Sequence, residues 1–144
     1  MIWKRARVSE TLHLSPSTPH ASENHTTEWR LGEALTNLYV GLGRYHRGEK
    51  LSAMRFIQGY AVDRILELAA KIEPEASAAR DPFALERRYE KRYPRLAERL
   101  PTFTQGYDRS LESAQAIPAF LESHFEVNPA MRQAIRELCD LNVG

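Results

Sequence analysis

The chain has 144 residues, 42% apolar and 27% charged, with a formal net charge of +1; that is enough for one domain with a core and too short for two comfortable ones. The near-balanced charge offers no global field for nucleic acid or an anionic membrane, and one cysteine, Cys139, excludes an intramolecular disulfide and a thiolate metal cluster. No run approaches the roughly 18 apolar residues that span a membrane, and the basic start MIWKRARVSETLHL lacks the apolar stretch of a secretory signal, so a cytoplasmic protein with no membrane partner is expected.

Residues 1–14 are predicted as an extended segment around Ile2–Val8, with Leu12 and Leu14 alternating across His13. Residues 15–27, SPSTPHASENHTT, have the composition of a linker. The division is therefore an N-terminal arm and linker over 1–27 and a helical bundle domain over 28–144. Either the first 14 residues are an arm, or a preceding domain lies outside this chain.

The first helix is expected from Thr26 or Thr27, either of which can cap it. Its apolar stripe is Leu31, Leu35, Leu38, Leu42 and Tyr45, spaced as a helix requires, and Gly48 ends it. A short basic turn leads to a second helix over about 49–72, with Met54, Ile57, Ala61, Ile65, Leu68 and Ile72 on one face. Val62, Leu66 and Ala69 widen that face, which makes the second helix the expected centre of the fold. Asp81-Pro82 reads as the start of a third helix running to about Tyr93, anchored by Phe83, Tyr89 and Tyr93. Pro94 interrupts it, and Pro101–Gln105 is a turn. A fourth helix spans about 106–124, with a kink expected at Pro118. Asn128-Pro129 opens the last helix, whose inner face is Met131, Ile135, Leu138 and Leu141. No second strand is predicted, so the fold class is all-α, an antiparallel four- to five-helix bundle with an extended N-terminal arm.

Most sequence patterns that hint at chemistry have a plainer reading. The turn GRYHRGEK, Gly43–Lys50, lacks the Lys-Ser/Thr that follows the last glycine of a phosphate loop, and it follows a helix rather than a strand. It reads as a helix C-cap, with His46 and Arg47 near the helix's negative end. The histidines His13, His20, His25, His46 and His124 show no metal-ligand spacing, so neither a metal nor another cofactor is expected in this chain. Arg7 and His13 have the R-x5-H spacing of a ribonuclease motif, but in an extended tail. Sixteen of the twenty basic residues are arginine, and residues 80–99 concentrate seven basic and four acidic groups. Pairing of Glu86, Glu90 and Glu98 with arginines three or four positions away favours a solvated face there over a nucleic-acid track.

One pattern on the opening hairpin carries a functional candidate. Arg30, Glu33, Asn37, Gly41 and Arg44 form a polar stripe beside the apolar one, and Ser52, Arg55, Gly59 and Asp63 repeat the design on the second helix. A helix-interior glycine costs about 1 kcal/mol, which close helix contact would offset. The other reading is a groove in which a glycine makes room and Glu33, Asn37, Arg44, Arg55 and Asp63 line a substrate-binding wall. No catalytic or metal-ligating residue is assigned.

The stretch EALTNLYVGLGRYHRGEKLSAMRFIQGYAVDRILEL, followed by RDPFALERRYEKRYPRLAERLP, resembles the C-terminal helical domain of bacterial DNA-polymerase-β-like nucleotidyltransferases, the aminoglycoside and lincosamide adenylyltransferase type. The likeness covers roughly residues 28–142 and rests on Arg47-Gly48, Tyr60–Leu68 and Arg87-Arg88-Tyr89-Glu90 ahead of Pro94. It implies a substrate-binding, cleft-closing domain. In that family a separate α/β domain holds ATP and Mg through a Gly-Ser turn and Asp-x-Asp carboxylates. This sequence has neither pattern, so a chain not catalytic alone is expected, with a nucleotidyltransferase catalytic domain as its partner and ATP and Mg only there. The alternative is a free-standing helical homodimeric interaction module, a HEPN-like partner or antitoxin component; a helical ribonuclease comes third.

Overall fold

The computed structural model describes residues 25–76 and 86–141. The expected extended segment, most of the linker, the Arg7/His13 pair, the Asp81-Pro82 helix start and Phe83 lie outside them. The described residues are helical, with no strand among them, and the chain is all-α. Helix α1, Thr27–His46, begins where the sequence places a cap: Thr26 Oγ1 accepts from the Trp29 N–H at 3.0 Å. It ends in a Schellman turn. Gly48 has φ +84°, the Gly48 N–H bonds the Tyr45 carbonyl, and the Glu49 N–H bonds the Arg44 carbonyl.

The chain then folds back through α2, Lys50–Met54, a π-helical turn, Arg55–Tyr60, α3, Ala61–Glu67, and α4, Ala69–Ile72. The predicted single helix is thus one arm with a wide turn in its first half and a tight one at Leu68. Beyond it come three four-residue helices, α5, Tyr89–Arg92, α6, Pro94–Ala97, and α7, Leu100–Phe103, then a 3-10 turn, Tyr107–Arg109. Residues 86–88 form a turn, with Arg88 left-handed at φ +58°, so the helix expected to reach Tyr93 does not run unbroken into α5. Helix α8, Ser110–His124, runs continuously through Pro118, and α9, Pro129–Asp140, starts on an Asn128 cap whose Oδ1 accepts from the Met131 N–H at 3.1 Å.

The core joins all these elements. Leu35, Leu38 and Leu42 of α1, Ile57, Ile65 and Leu68 of the arm, Tyr89, Leu96 and Phe103 of the short helices, Ile117 and Leu121 of α8 and Ile135 of α9 are all buried. α1, not the second arm, is the hub: it packs on the whole 50–67 arm, on α8 and on α9. His46 Nε2 lies 2.7 Å from the Leu138 carbonyl oxygen, bringing the C-terminal ends of α1 and α9 together. Lys50 reaches Asp108 and Gln58 reaches Ser110, so the arm and α8 start at the same end of the bundle, and residues 89–105 return the chain there. Arg132 and Glu122 pair across α8 and α9.

Candidate functional site

The candidate wall lies along one rim of the α1–arm hairpin, and its register is set by ties at three heights. At the turn, Arg44 Nη1 donates to Ser52 Oγ at 2.9 Å, its guanidinium lies 4.8 Å from the Phe56 ring centre, and Glu49 is 3.9 Å away. Midway, Gly41 meets the π-helical turn so closely that a Cβ there would lie 2.6 Å from Ile57 Cγ1 and 3.0 Å from Phe56 Cβ. At the far end, Glu67 takes Arg30 at 3.4 Å and Arg64 at 3.0 Å. Antiparallel helices tied at these points place Asn37 level with Tyr60 and Ala61, and Glu33 level with Asp63 and Arg64.

The predicted site residues divide accordingly. Arg44 is occupied in holding the hairpin turn. Arg55 is exposed, and a Cβ added at Gly59 would meet open space. The π-helical turn that follows takes one residue more than an α turn and shifts the arm beyond it relative to a 3.6-residue count. Glu33 and Asn37 are half-buried, and neither side chain makes a hydrogen bond or ion pair among the described residues. Asp63 is exposed on its surface side, yet loss of solvent around the carboxylate raises its pKa above the ordinary value. The Arg64 charge opposes that rise, while Glu67 and Glu86 add to it. The two glycines of the stripe separate in the same way: Gly41 is a close helix contact, and Gly59 faces open space.

Sequence reasoning gave Trp29 and Tyr60 no place at this rim. Tyr60 is 47% exposed and stands edge-on to Phe56 at 5.1 Å. Trp29 carries the His25 ring stacked on it at 3.6 Å and the Arg64 guanidinium 5.5 Å from its centre. The available signal was Arg64-x-x-Glu67, an i, i+3 ion pair beside an aromatic one turn into the facing helix. Among the described residues, the rim thus combines two carboxylates without ion-pair partners, an amide whose side chain makes no hydrogen bond, and aromatic flanks. Such a wall can hold a ligand carrying amines or hydroxyls, and a carboxylate with a raised pKa is a better proton acceptor than an ordinary one. Among the described residues no three His, Cys, Asp or Glu side chains cluster as a metal requires, and no helix is long and apolar enough to cross a membrane. Cys139 is buried, its thiol pushed up to about 11 by loss of solvent, with the Asp140 charge adding to the effect. The chain matches no protein-family model, no curated protein and no solved structure.

Proposed function

We propose that the chain is the substrate-binding helical part of a nucleotidyltransferase-type enzyme, with the α1–arm rim as its acceptor wall and the catalytic carboxylates supplied by another domain. The observation that carries this reading is Glu33 and Asn37, half-buried and without side-chain partners among the described residues, with Glu33 level with Asp63 and Asn37 one turn nearer the hairpin turn. Polar groups that make no bond within the described fold and stay partly open to solvent are placed to take a ligand's amine or hydroxyl in place of water. The resemblance of residues 28–142 to the helical domain of those enzymes supports the same assignment. Arg44 then shapes the wall rather than contacting the acceptor, and Arg55 lies at its margin.

The test is reconstitution. ATP with Mg²⁺ titrated into the chain alone gives no heat. Adding the chain to a minimal nucleotidyltransferase domain with Gly-Ser and Asp-x-Asp patterns, encoded beside it, raises adenylyl transfer to an amine- or hydroxyl-bearing acceptor. The Glu33→Ala, Asp63→Ala double variant removes that gain. No gain from the native chain overturns the reading, and a gain that survives the double variant overturns the assignment of the rim. The homodimeric alternative has less room here, because the apolar stripe of α1 is buried in the chain's own core. Among the described residues, the large apolar side chains left for a self-association surface include Tyr39, Leu51 and Leu141, each about half exposed.

A further inference from the structure

Residues 89–105 differ from the rest of the described bundle. Their three helices have four residues each, broken by Pro94 and Pro101, and a single helical turn has no stability of its own in water. The segment is bounded by two left-handed positions, Arg88 at φ +58° and Gly106 at φ +109°. What holds it is attachment at both ends. At the start, the Glu73 carboxylate, 7% exposed, accepts from the Leu96 and Arg95 N–H groups at 2.5 and 3.3 Å. Glu75, across Pro74, takes the buried Arg92 at 2.8 Å and the Tyr93 hydroxyl at 3.3 Å. The Ala76 N–H bonds the Arg92 carbonyl, and the Tyr89 hydroxyl reaches the Leu66 carbonyl. At the other end, the Gln58 side-chain amide grips Gly106 twice, donating to its carbonyl at 2.7 Å and accepting from its N–H at 2.8 Å. Gln58 also donates to Ser110 Oγ. Between these fasteners Tyr89, Tyr93, Leu96 and Phe103 are inserted into the core.

We infer that residues 89–105 are a strap that opens as one unit about Arg88 and Gly106, uncovering Phe120, Ser113 and the end of α3. Three features argue for one unit rather than piecemeal fraying. No helix in the segment stands alone, so loss of one fastener frees neighbours that have no internal support. The left-handed bounds concentrate the backbone change at two residues, as hinges do. The inserted side chains are all buried against the rest of the bundle, the Tyr89 hydroxyl reaching the Leu66 carbonyl and Phe103 meeting Phe120 at 5.1 Å, while the Gln105 N–H meets Ser113 Oγ. Segments held in this way populate the low-stability end of a protein's opening hierarchy.

Native-state hydrogen exchange followed by mass spectrometry decides the matter on the full chain. The expected result is one shared opening free energy for the amides of 89–104, below that of α1 over Leu35–Leu42. Gln58→Ala and Glu73→Gln, at opposite ends, each then speed exchange about tenfold over the whole segment and leave the α1 amides unchanged. Exchange of 89–104 at the α1 rate in the native chain overturns the inference. So does acceleration confined to the residues beside each substitution, or none at all. The native measurement stands even if a variant fails to fold.

Discussion

Gly41 sits where α1 and the π-helical turn approach most closely, and its missing side chain is the condition for that approach. With Ile57 Cγ1 2.6 Å from where a Cβ would stand, and the Phe56 Cβ close beside it, Gly41→Ala forces the two helices apart. The expected cost is about 1–3 kcal/mol in urea unfolding, although alanine is the better helix former. Gly59→Ala, facing open space, is expected to stabilise instead, by up to about 1 kcal/mol. A change of the same sign in both variants would contradict the packing described. Asp63 makes a prediction about pH. Its folded pKa is raised, so the native state holds this proton more tightly than the unfolded chain, and stability from this group falls as pH rises through the carboxylate range. Asp63→Asn is therefore expected to raise the melting temperature at pH 7 and to have no effect well below that range. An unchanged melting temperature at pH 7 would leave the residue an ordinary surface carboxylate.

At the scale of elements, the caps were legible and the irregular turns were not. Gly48 and Asn128 act where their residue types and spacing place them, and Thr26 is the cap of the two candidates offered at its site, because a cap is a local contest between side chain and backbone. Gly48→Ala puts a Cβ into a left-handed turn and is expected to cost about 1 kcal/mol, measurable by thermal or urea unfolding; no loss would mean that the hairpin turn reshapes freely. The π-helical turn at Arg55–Tyr60 has no local signature. It accompanies the Gly41 contact on one side and Gln58 reaching Gly106 on the other, and both partners are distant in sequence. The same blindness affected the charged stretch after Arg80. Its glutamates and arginines were spaced to pair along one helix, but residues 86–88 are a turn with Arg88 left-handed, so Glu86 and Glu90 do not share a helix. The charges that matter there are Glu73 and Glu75, which reach across from the end of the arm.

For the whole molecule, α1 is the element to which the long helices and the hairpin arm attach. Leu38, fully buried at the middle of α1, is expected to lose about 2–5 kcal/mol on Leu38→Ala. The loss should appear as a single cooperative transition by both far-ultraviolet circular dichroism and tyrosine fluorescence. Two separated transitions would show that the bundle does not depend on this helix as described.

The sequence alone determined the helical class, the α1 stripe, the Asn128 cap, a cap at Thr26 or Thr27 and the polar stripe carrying Glu33 and Asn37, since each comes from periodicity or from neighbours within four residues. It placed the centre of the fold on the second helix, because apolar width is visible locally, whereas the number of partners a helix gathers is not. Only the tertiary structure decided that Arg44 is engaged at the turn, that Arg55 is exposed, that Asp63 stands level with Glu33, and that Trp29 and Tyr60 flank the rim. Those facts depend on where two helices touch, and one extra residue in a π-helical turn is enough to change them.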